Sequence, residues 1–317
     1  MKQRRIAITH ANSLFAEAIL EKLPESEIAS DSVVLLDDEL HVGVRLAYAD
    51  SYLKIQDQQK YDYSDCALVL MLQYDRSIED KLSNLDAILL SHTLQDDGQP
   101  VFAANADAKL NISYSQQSLK LADAELSCLL GVLPVLHQNY SITHVNTVLM
   151  RSAELKGKTG IDELASQTIA LLNSQEAKPR VYPLQIAFNL IPEASDSCFN
   201  QDLAGLIGDD TIKCTHQVID VPVFHGFSAA VQLIFDSEVD LQACQSILKS
   251  ISNVQLKSSA TSPISDCNRS FGCVINRLEQ APNQANTLQF WMIADPIRYG
   301  LANNYTNVID ILLKSFL

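Results

Sequence analysis

Apolar positions in the first third of the chain alternate between short continuous runs and helical spacing. The continuous runs predict buried strands, and the helically spaced stretches predict amphipathic helices between them. The predicted strands are RRIAIT (4–9), SVVLLD (32–37), ALVLML (67–72) and AILLS (87–91), and the predicted helices are NSLFAEAILEKL (12–23) and RSIEDKLSNL (76–85). Strands that alternate with helices predict a mostly parallel sheet. The first strand runs into a helix that Asn12 or Ser13 can cap, which is typical of dinucleotide-binding domains.

The second half of the chain predicts longer strands and fewer helices. The predicted strands are ITHVNTVLM (142–150), TIKCTHQVIDVPVF (211–224), SAAVQLIFD (228–236), GCVINRLEQ (272–280) and LQFWMIAD (288–295). The predicted helices are GIDELASQTIALLN (160–173), DLQACQSILKSI (240–251) and a closing helix, NYTNVIDILLKSFL (304–317). Helical spacing predicts one buried side for the helix at 160–173, formed by Ile161, Leu164, Ala165, Ile169 and Leu172. We therefore expect an α+β domain with helices on one face of a large sheet.

Composition and charge narrow the class of protein. With 317 residues, of which 47% are hydrophobic and 19% charged, the chain can build two domains with full cores. No apolar stretch is long enough to span a membrane, and the apolar part of the N-terminus is too short for a secretion signal. The seven cysteines form no CxxC pair and no cluster with histidine, which indicates reduced thiols in a cytoplasm and no metal site. The net charge of −15 disfavours a nucleic-acid partner, because phosphate contacts need clustered lysine and arginine.

The turn after the first strand, THANSLFA (9–16), is the first candidate site. A turn that holds a pyrophosphate needs glycine, because the backbone must curl tightly and approach the phosphates. Here His10, Ser13 and Ala16 occupy the three glycine positions of such a turn. The turn is therefore either a weakened dinucleotide site or only a connection from strand to helix, and we expect no bound cofactor.

Three further candidates each have two interpretations. Cys128 lies inside KLADAELSCLLGVLPVL (120–136), a predicted buried helix, which favours a buried small side chain over a nucleophile. Lys158 lies in a glycine-containing turn before a helix, and this turn either receives an anion or only caps the helix. Gln185 lies on RVYPLQIAFNLIP (180–192), which we predict to be extended, and it either lines a pocket or faces solvent.

Three segments together resemble the aspartate-β-semialdehyde dehydrogenases. The segments are QIAFNLIP (185–192), VIDVPVFHGFSAAVQLIF (218–235) and FWMIADPIRYGLANN (290–304), and their order and spacing match over nearly the whole chain. KGKTGIDELASQTIALLN (156–173) and SFGCVINR (270–277) resemble the Usg-type branch, whose members look non-catalytic. The resemblance implies an α/β plus α+β fold. Residues 1–123 and 296–317 would form a Rossmann-like NAD(P)-binding-type domain, and residues 124–295 a catalytic and dimerisation domain.

The resemblance also assigns positions to the family's chemistry, the reductive dephosphorylation of aspartyl phosphate with NADPH. It places Ala124 at the cysteine nucleophile, Phe227 at the histidine and Asp220 at the arginine that binds the substrate carboxylate. A methyl group cannot attack an acyl phosphate, a phenyl ring carries no proton, and a carboxylate repels the substrate carboxylate. The nearest substitutes are Cys128 and His225. Residues that still match the family and could form a remnant pocket are Lys158, Gln185, Arg298 and Asn304.

The sequence therefore predicts a non-catalytic homologue of aspartate-semialdehyde dehydrogenase. We expect a cytoplasmic homodimer, without a membrane or nucleic-acid partner, that acts through dimerisation, through a ligand or through a heterodimer with an active homologue. The alternative is an active NADP-dependent semialdehyde dehydrogenase with rearranged residues, such as Cys128 with His225. A small-molecule sensor is a third interpretation, which the sequence does not separate from the first.

Overall fold

The computed structural model describes residues 5–94, 101–104, 117–194 and 197–316. The chain divides into two compact units, and each has its own sheet. The first unit comprises residues 1–123 and 301–317, and the second comprises residues 124–300. The second unit ends at Gly300, and the chain then returns to the first unit. The sequence suggests that this return comes five residues earlier, after Asp295.

The sheet of the first unit is almost entirely parallel, as the alternation of strands and helices predicts. Its strands are β1 (Arg5–Thr9), β2 (Val33–Asp37), β3 (Arg45–Tyr48), β4 (Ser51–Asp57), β5 (Cys66–Met71), β6 (Ile88–Ser91), β7 (Val101–Phe102) and β8 (Ser118–Leu121), in the order β3-β4-β2-β1-β5-β6-β8-β7. Among the described strands of this sheet, only the pair β3–β4 is antiparallel. The helices are α1 (Leu14–Lys22), α2 (Arg76–Leu82) and the C-terminal helix, Asn303–Phe316, which packs on α1.

The second unit contains a larger mixed sheet. Its strands are β9 (Ile142–Arg151), β10 (Ile191–Glu193), β11 (Lys213–Asp220), β12 (Phe227–Phe235), β13 (Val254–Lys257), β14 (Cys273–Gln280) and β15 (Thr287–Ala294), in the order β10-β11-β9-β12-β15-β14-β13. The helices are α3 (Ala124–Leu130), α4 (Leu133–Tyr140), α5 (Gly157–Leu172), α6 (Ser197–Ile207), α7 (Leu241–Ser250) and α8 (Pro263–Asp266). Burial alternates along β12, and α6 and α7 pack on the sheet at β11 and β13. The predicted α+β arrangement is confirmed.

The single helix predicted at 120–136 is wrong. The segment starts in β8 and then forms two helices, α3 and α4, which are separated at Gly131. A Cβ atom on Gly131 would lie 1.9 Å from the hydroxyl oxygen of Tyr299. Close packing of the Tyr299 ring against bare backbone therefore accompanies the break between the two helices.

The predicted buried side of the helix at 160–173 is confirmed at Leu164 and Ile161, which pack in a core cluster, but is wrong at Ile169 and Leu172. Ile169 and Leu172 on α5 are 61% and 74% exposed. Buried positions on this helix are Gly160, Glu163, Leu164 and Gln167. The Glu163 carboxylate accepts the backbone N–H groups of residues 180–182, and the Gln167 side-chain oxygen accepts those of residues 186 and 187. Two buried polar side chains thus face a segment whose amide groups need acceptors.

The segment 180–192 is not extended, contrary to the prediction. It forms bends and turns until β10 begins at Ile191. Phe188 adopts the left-handed conformation, with φ +59°, and its side chain is 68% exposed. The side-chain nitrogen of Gln185 donates to the carbonyl oxygen of Ala187 at 2.8 Å, so Gln185 stabilises the turn itself.

Candidate functional site

The ends of three neighbouring strands bring Asp220, Arg151 and Phe227 side by side. Asp220, the last residue of β11, pairs with Arg151 at the end of β9, and Arg151 pairs with Phe227 at the start of β12. Paired residues of adjacent strands project to the same face of a sheet, about 4.8 Å apart. We call these three residues the strand-end row. The positions that the resemblance assigns to the substrate arginine and the histidine are therefore close neighbours.

A tight turn leads into Phe227. Gly226 has φ +96°, and a Cβ atom there would lie 2.2 Å from the Cβ of Pro263, so this position requires glycine. Phe227 itself is fully buried. The strand, glycine turn and second strand expected from the sequence are present, and the first side chain after the turn is a buried phenyl ring.

Arg151 of the strand-end row is held by a carboxylate from α3. Ala124 begins this helix and is buried, and the next residue, Glu125, accepts from Arg151 Nε and Nη2 at 2.5 Å each. The Glu125 side chain is 5% exposed. A bidentate pair of this kind is the strongest arrangement of arginine with a carboxylate. The guanidinium of Arg151 is therefore directed at a group of its own chain.

Asp220 of the strand-end row is also matched by a charge from the chain. Its side chain is almost completely buried, and its Oδ2 atom lies 3.6 Å from Lys156 Nζ, with no hydrogen-bond partner among the described residues. Lys156 Nζ also lies 3.9 Å from Glu193 Oε1 and 5.7 Å from the ring centroid of Tyr182. The pKa of Asp220 is raised to about 6, chiefly by burial and also by the neighbouring Glu193, against the lowering effect of Lys156. An incoming carboxylate would be repelled here.

His225 lies on the turn and pairs with Glu154. The Nδ1 atom of His225 lies 3.1 Å from Glu154 Oε2, and the Gly226 backbone N–H donates to Glu154 Oε1. The His225 side chain is 44% exposed, whereas that of Glu154 is 5% exposed. Burial raises the pKa of Glu154, and the Gly226 N–H and His225 oppose this effect. The imidazole is thus held by a buried carboxylate, and the same carboxylate holds the turn.

Cys128 lies in the interior of α3 and is fully buried. The helix packs closely on backbone: a Cβ atom on Gly300 would lie 2.5 Å from the Ala124 carbonyl oxygen and 3.1 Å from Cys128 Sγ. A nucleophilic thiolate needs access and a positive neighbour or a helix N-terminus. The position of Cys128, four residues into the helix, provides neither access nor a helix N-terminus.

The other residues that match the family are held in contacts of their own. Lys158 is exposed in the first turn of α5. Arg298 is 9% exposed, and its Nη1 atom lies 3.3 Å from Asp295 Oδ2. In the first unit, the side-chain oxygen of Asn304 accepts the Ala104 N–H at 2.9 Å, and Asn304 is fully buried. Arg298 and Asn304 thus have contacts that stabilise local backbone.

The turn after β1 has the conformation of a glycine turn but different contacts. His10 adopts φ +53°, a backbone conformation that glycine adopts most readily. Ser13 caps α1 by accepting the Ala16 N–H at 3.2 Å, and Ala16 is fully buried. The Asn12 N–H donates to Asp37 Oδ2 at 2.6 Å. His10 and Ser13 carry side chains where a phosphate-binding turn has glycine, so the residues present fit a pyrophosphate poorly.

The sequence reasoning missed several charged residues that define these contacts. They are Asp37, Glu125, Arg151, Glu154 and Lys156. Four of the five lie at or just beyond the end of an apolar run, in VVLLD for Asp37 and in VLMRSAELK for Arg151, Glu154 and Lys156. A charge at such a place is the signal that could have found them, because the carboxyl ends of strands gather polar groups at one edge.

One face of the second unit's sheet is open around a depression of about 830 Å³. Polar side chains bond to one another across the strands there: Asn146 Nδ2 donates to Gln232 Oε1 at 3.2 Å, and Thr215 Oγ1 donates to Asn146 Oδ1 at 2.7 Å. Trp291 lies on the same face and is 38% exposed. We call this surface the open sheet face.

Two further features are absent from the ranges that the structure describes. No helix there has the length and apolarity needed to cross a membrane. No three histidine, cysteine, aspartate or glutamate side chains of those ranges group as metal ligands do.

Known proteins resemble this chain in sequence and in fold. A family model described as "Semialdehyde dehydrogenase, dimerisation domain" matches residues 132–299, just over half of the chain. Aspartate-semialdehyde dehydrogenase 2 of Vibrio cholerae is 23% identical over 99% of both chains. The USG-1 protein homolog of Pseudomonas aeruginosa is 24% identical over 98% of both chains. The crystal structure of aspartate semialdehyde dehydrogenase II from Vibrio cholerae has a TM-score of 0.88 at 22% identity and covers 99% of this chain and 100% of that chain.

Proposed function

The chain belongs to the semialdehyde dehydrogenase family, and from that premise we propose that it is a non-catalytic homologue of aspartate-semialdehyde dehydrogenase. The observation that carries the proposal is the state of the strand-end row. Its two charged members are matched by charges of the same chain, Arg151 by Glu125 and Asp220 by Lys156, and its third member is a buried phenyl ring. The row holds no imidazole, and Ala124 at the start of α3 holds no thiol.

The expected losses in reaction rate and in substrate binding support the proposal. Loss of a general acid–base group costs about 10²–10⁴ in rate. Loss of the nucleophile removes the covalent route, because a methyl group at Ala124 forms no thioester. The Nε and Nη2 atoms of Arg151 could bind a substrate carboxylate only by leaving Glu125, whose buried carboxylate would then lose this partner. Binding energy from a small substrate would be consumed by that exchange.

The proposal extends to the cofactor and to the assembly. We expect no bound dinucleotide, because His10, Ser13 and Ala16 occupy the glycine positions of the turn after β1. We expect a homodimer formed through the open sheet face, because the family match covers a dimerisation domain and the face bears a half-buried tryptophan. A heterodimer with an active homologue is the competing assembly.

The alternative is an active NADP-dependent semialdehyde dehydrogenase that uses Cys128 with His225. Full burial of Cys128 inside α3 and the pairing of His225 with Glu154 both disfavour it. The alternative nevertheless makes a distinct prediction, because turnover would then depend on the Cys128 thiol.

Phosphate-dependent oxidation of aspartate semialdehyde with NADP or NAD tests the proposal. The wild-type protein, Cys128→Ala and a mock preparation are assayed together, with the Vibrio cholerae relative as the positive control. We expect the wild type and Cys128→Ala to match the mock preparation. Wild-type turnover well above the mock preparation would contradict the proposal, and its loss in Cys128→Ala would establish the alternative.

A further inference from the structure

Three charged side chains from different elements meet where the edge strand β10 joins the sheet. β10 pairs antiparallel with β11, with Ile191 opposite Asp220 and Glu193 opposite Val218. Side chains two residues apart on a strand share a face, so Asp220 and Glu193 are diagonal neighbours on the same face. The Nζ atom of Lys156 lies 3.6 Å from Asp220 Oδ2 and 3.9 Å from Glu193 Oε1. We call Lys156, Glu193 and Asp220 the edge clasp.

The charged groups described around Asp220 do not balance. Arg151, which pairs with Asp220 across β9 and β11, is bound by Glu125 through two nitrogen atoms. Lys156 is a cation that both carboxylates of the edge clasp face. Two cations and three carboxylates leave one net negative charge when all five groups are ionised. One bound proton would remove this excess.

Asp220 is buried beneath its neighbours. The residue is 1% exposed, and its Oδ2 atom accepts no hydrogen bond from the described residues. The ring centroid of Tyr182 lies 5.7 Å from Lys156 Nζ, and the phenol stays neutral because burial raises its pKa to about 12. A buried charge without donors is costly, whereas a carboxyl group that keeps its proton can itself donate. The side chains of Asp220 and Glu193 are close enough for that hydrogen bond.

We propose that the edge clasp is a proton-operated lock, in which a proton on Asp220 fastens β10 to the sheet and the loss of that proton loosens it. With the proton in place, the Asp220 O–H donates to a carboxylate oxygen of Glu193, and Lys156 faces the charge that remains. When the proton passes to solvent, two carboxylates repel each other across the strands. Lifting β10 would let water reach the buried charge, so ionisation favours the lifted strand.

The pKa of Asp220 sets the direction of the pH dependence. Burial chiefly raises this pKa to about 6, against the lowering effect of Lys156. In the lifted strand the carboxyl group is hydrated, and its pKa falls toward the ordinary value of 3.8. The closed state therefore binds the proton more tightly, so closure is favoured at low pH and is lost as the pH rises from about 4 to about 6. Between pH 5 and pH 7.5, the population of the lifted strand should increase about tenfold.

The lock would decide which strand the sheet presents at this edge. β10 is the outermost strand, so its release turns β11 into the edge. The unpaired backbone groups of an edge strand can pair with another chain, and a short covering strand prevents this. The inference goes beyond the proposed function. Exchange at β10 and turnover are separate measurements, so either proposal can fail without the other.

Amide hydrogen exchange of β10 at pH 5 and pH 7.5 tests the inference, with rates expressed as protection factors to remove the intrinsic effect of pH. The control within the same molecule is β13, at the opposite edge of the sheet. There Lys257 holds the pKa of Asp266 well below its ordinary value, so this pair keeps its charges at both pH values. We expect the protection of β10 to fall about tenfold at pH 7.5 and that of β13 to stay constant. Equal changes in both strands, or no change at β10, would overturn the inference.

Variants separate the edge clasp from other causes of the same change. Asp220→Asn keeps a donor for Glu193 but cannot ionise, so its β10 should stay protected at both pH values. Asp162→Asn, which alters an exposed carboxylate on α5, is the matched control and should behave as the wild type. A fall in protection that persists in Asp220→Asn would contradict the lock. Glu193→Gln, at a more exposed position, should make the fall smaller, and an unchanged fall would count against the shared proton.

Discussion

Asp220 carries a carboxyl group whose environment favours the neutral form. Its pKa of about 6 in the folded chain lies above the ordinary value of 3.8, chiefly because of burial. The folded state therefore binds a proton more tightly than the unfolded state. Stability from this group is present at low pH and is lost as the pH rises from about 4 to about 6.

Asp220→Asn should remove that dependence and stabilise the protein at neutral pH. Each unit of pKa shift corresponds to about 1.4 kcal/mol, so the gain at pH 7.5 is at most about 3 kcal/mol, a net value that already includes the attraction of Lys156. Urea unfolding at pH 5 and pH 7.5 measures it. Asp162→Asn, an exposed carboxylate on α5, is the control and should change neither value. A less stable Asp220→Asn at pH 7.5 would contradict the assignment.

Arg151 and Glu125 should behave as one unit in a double-mutant cycle. Glu125→Leu alone leaves a partly buried guanidinium without its carboxylate and should cost about 3–5 kcal/mol of unfolding free energy. Arg151→Met alone leaves a buried carboxylate and should cost a similar amount. The double variant should recover much of the loss, because neither charge is then buried without a partner. Additive losses in chemical denaturation would mean that the two groups act independently.

At the scale of elements, α5 offers two leucines with opposite environments on one helix. Leu164 is 2% exposed and Leu172 is 74% exposed. Leu164→Ala should cost about 2–5 kcal/mol, because it leaves a cavity, whereas Leu172→Ala should stay within about 0.5 kcal/mol of the wild type. Urea unfolding compares the two directly. Equal losses would contradict the orientation of the helix described above.

The same helix explains where sequence patterns succeed and fail. Apolar periodicity located the helix and the strands around it, because buried positions are mostly apolar. It misjudged part of the buried side, because Glu163 and Gln167 are buried as acceptors for backbone amide groups between residues 180 and 187. The need of these amide groups for buried acceptors arises only in the folded chain. The strand predicted at 142–150 likewise stopped one residue before Arg151, whose partner, Glu125, is 26 residues away.

At the scale of the whole molecule, the resemblance indicated both domains and the altered positions Ala124, Phe227 and Asp220. It did not reveal that Arg151 and Asp220 each face an opposite charge of the same chain. Glu125 and Lys156 become partners only through tertiary contact, and single-sequence spacing carries no record of that contact. The roles of these residues are therefore proposals from geometry, which the experiments described for the strand-end row test.

Assembly is also a property of the whole molecule. Trp291→Glu places a charge on the open sheet face and should convert a dimer, of twice 35.0 kDa, into a monomer. Tyr52→Glu, which alters a 72% exposed side chain of the first unit, is the control and should remain dimeric. Sedimentation equilibrium measures both. A monomeric wild type that pairs only with an added active homologue would support the heterodimer instead.

The matched charges of the strand-end row make the present state hard to leave by single steps. Asp220→Arg would place a new cation beside Lys156 and Arg151 and would remove the carboxylate that Lys156 faces. Ala124→Cys would supply a thiol one residue before Glu125, which would still hold Arg151. Neither change alone restores the family's chemistry, because Phe227 still occupies the position of the histidine. Selection for catalysis could therefore restore this site only through several coordinated substitutions.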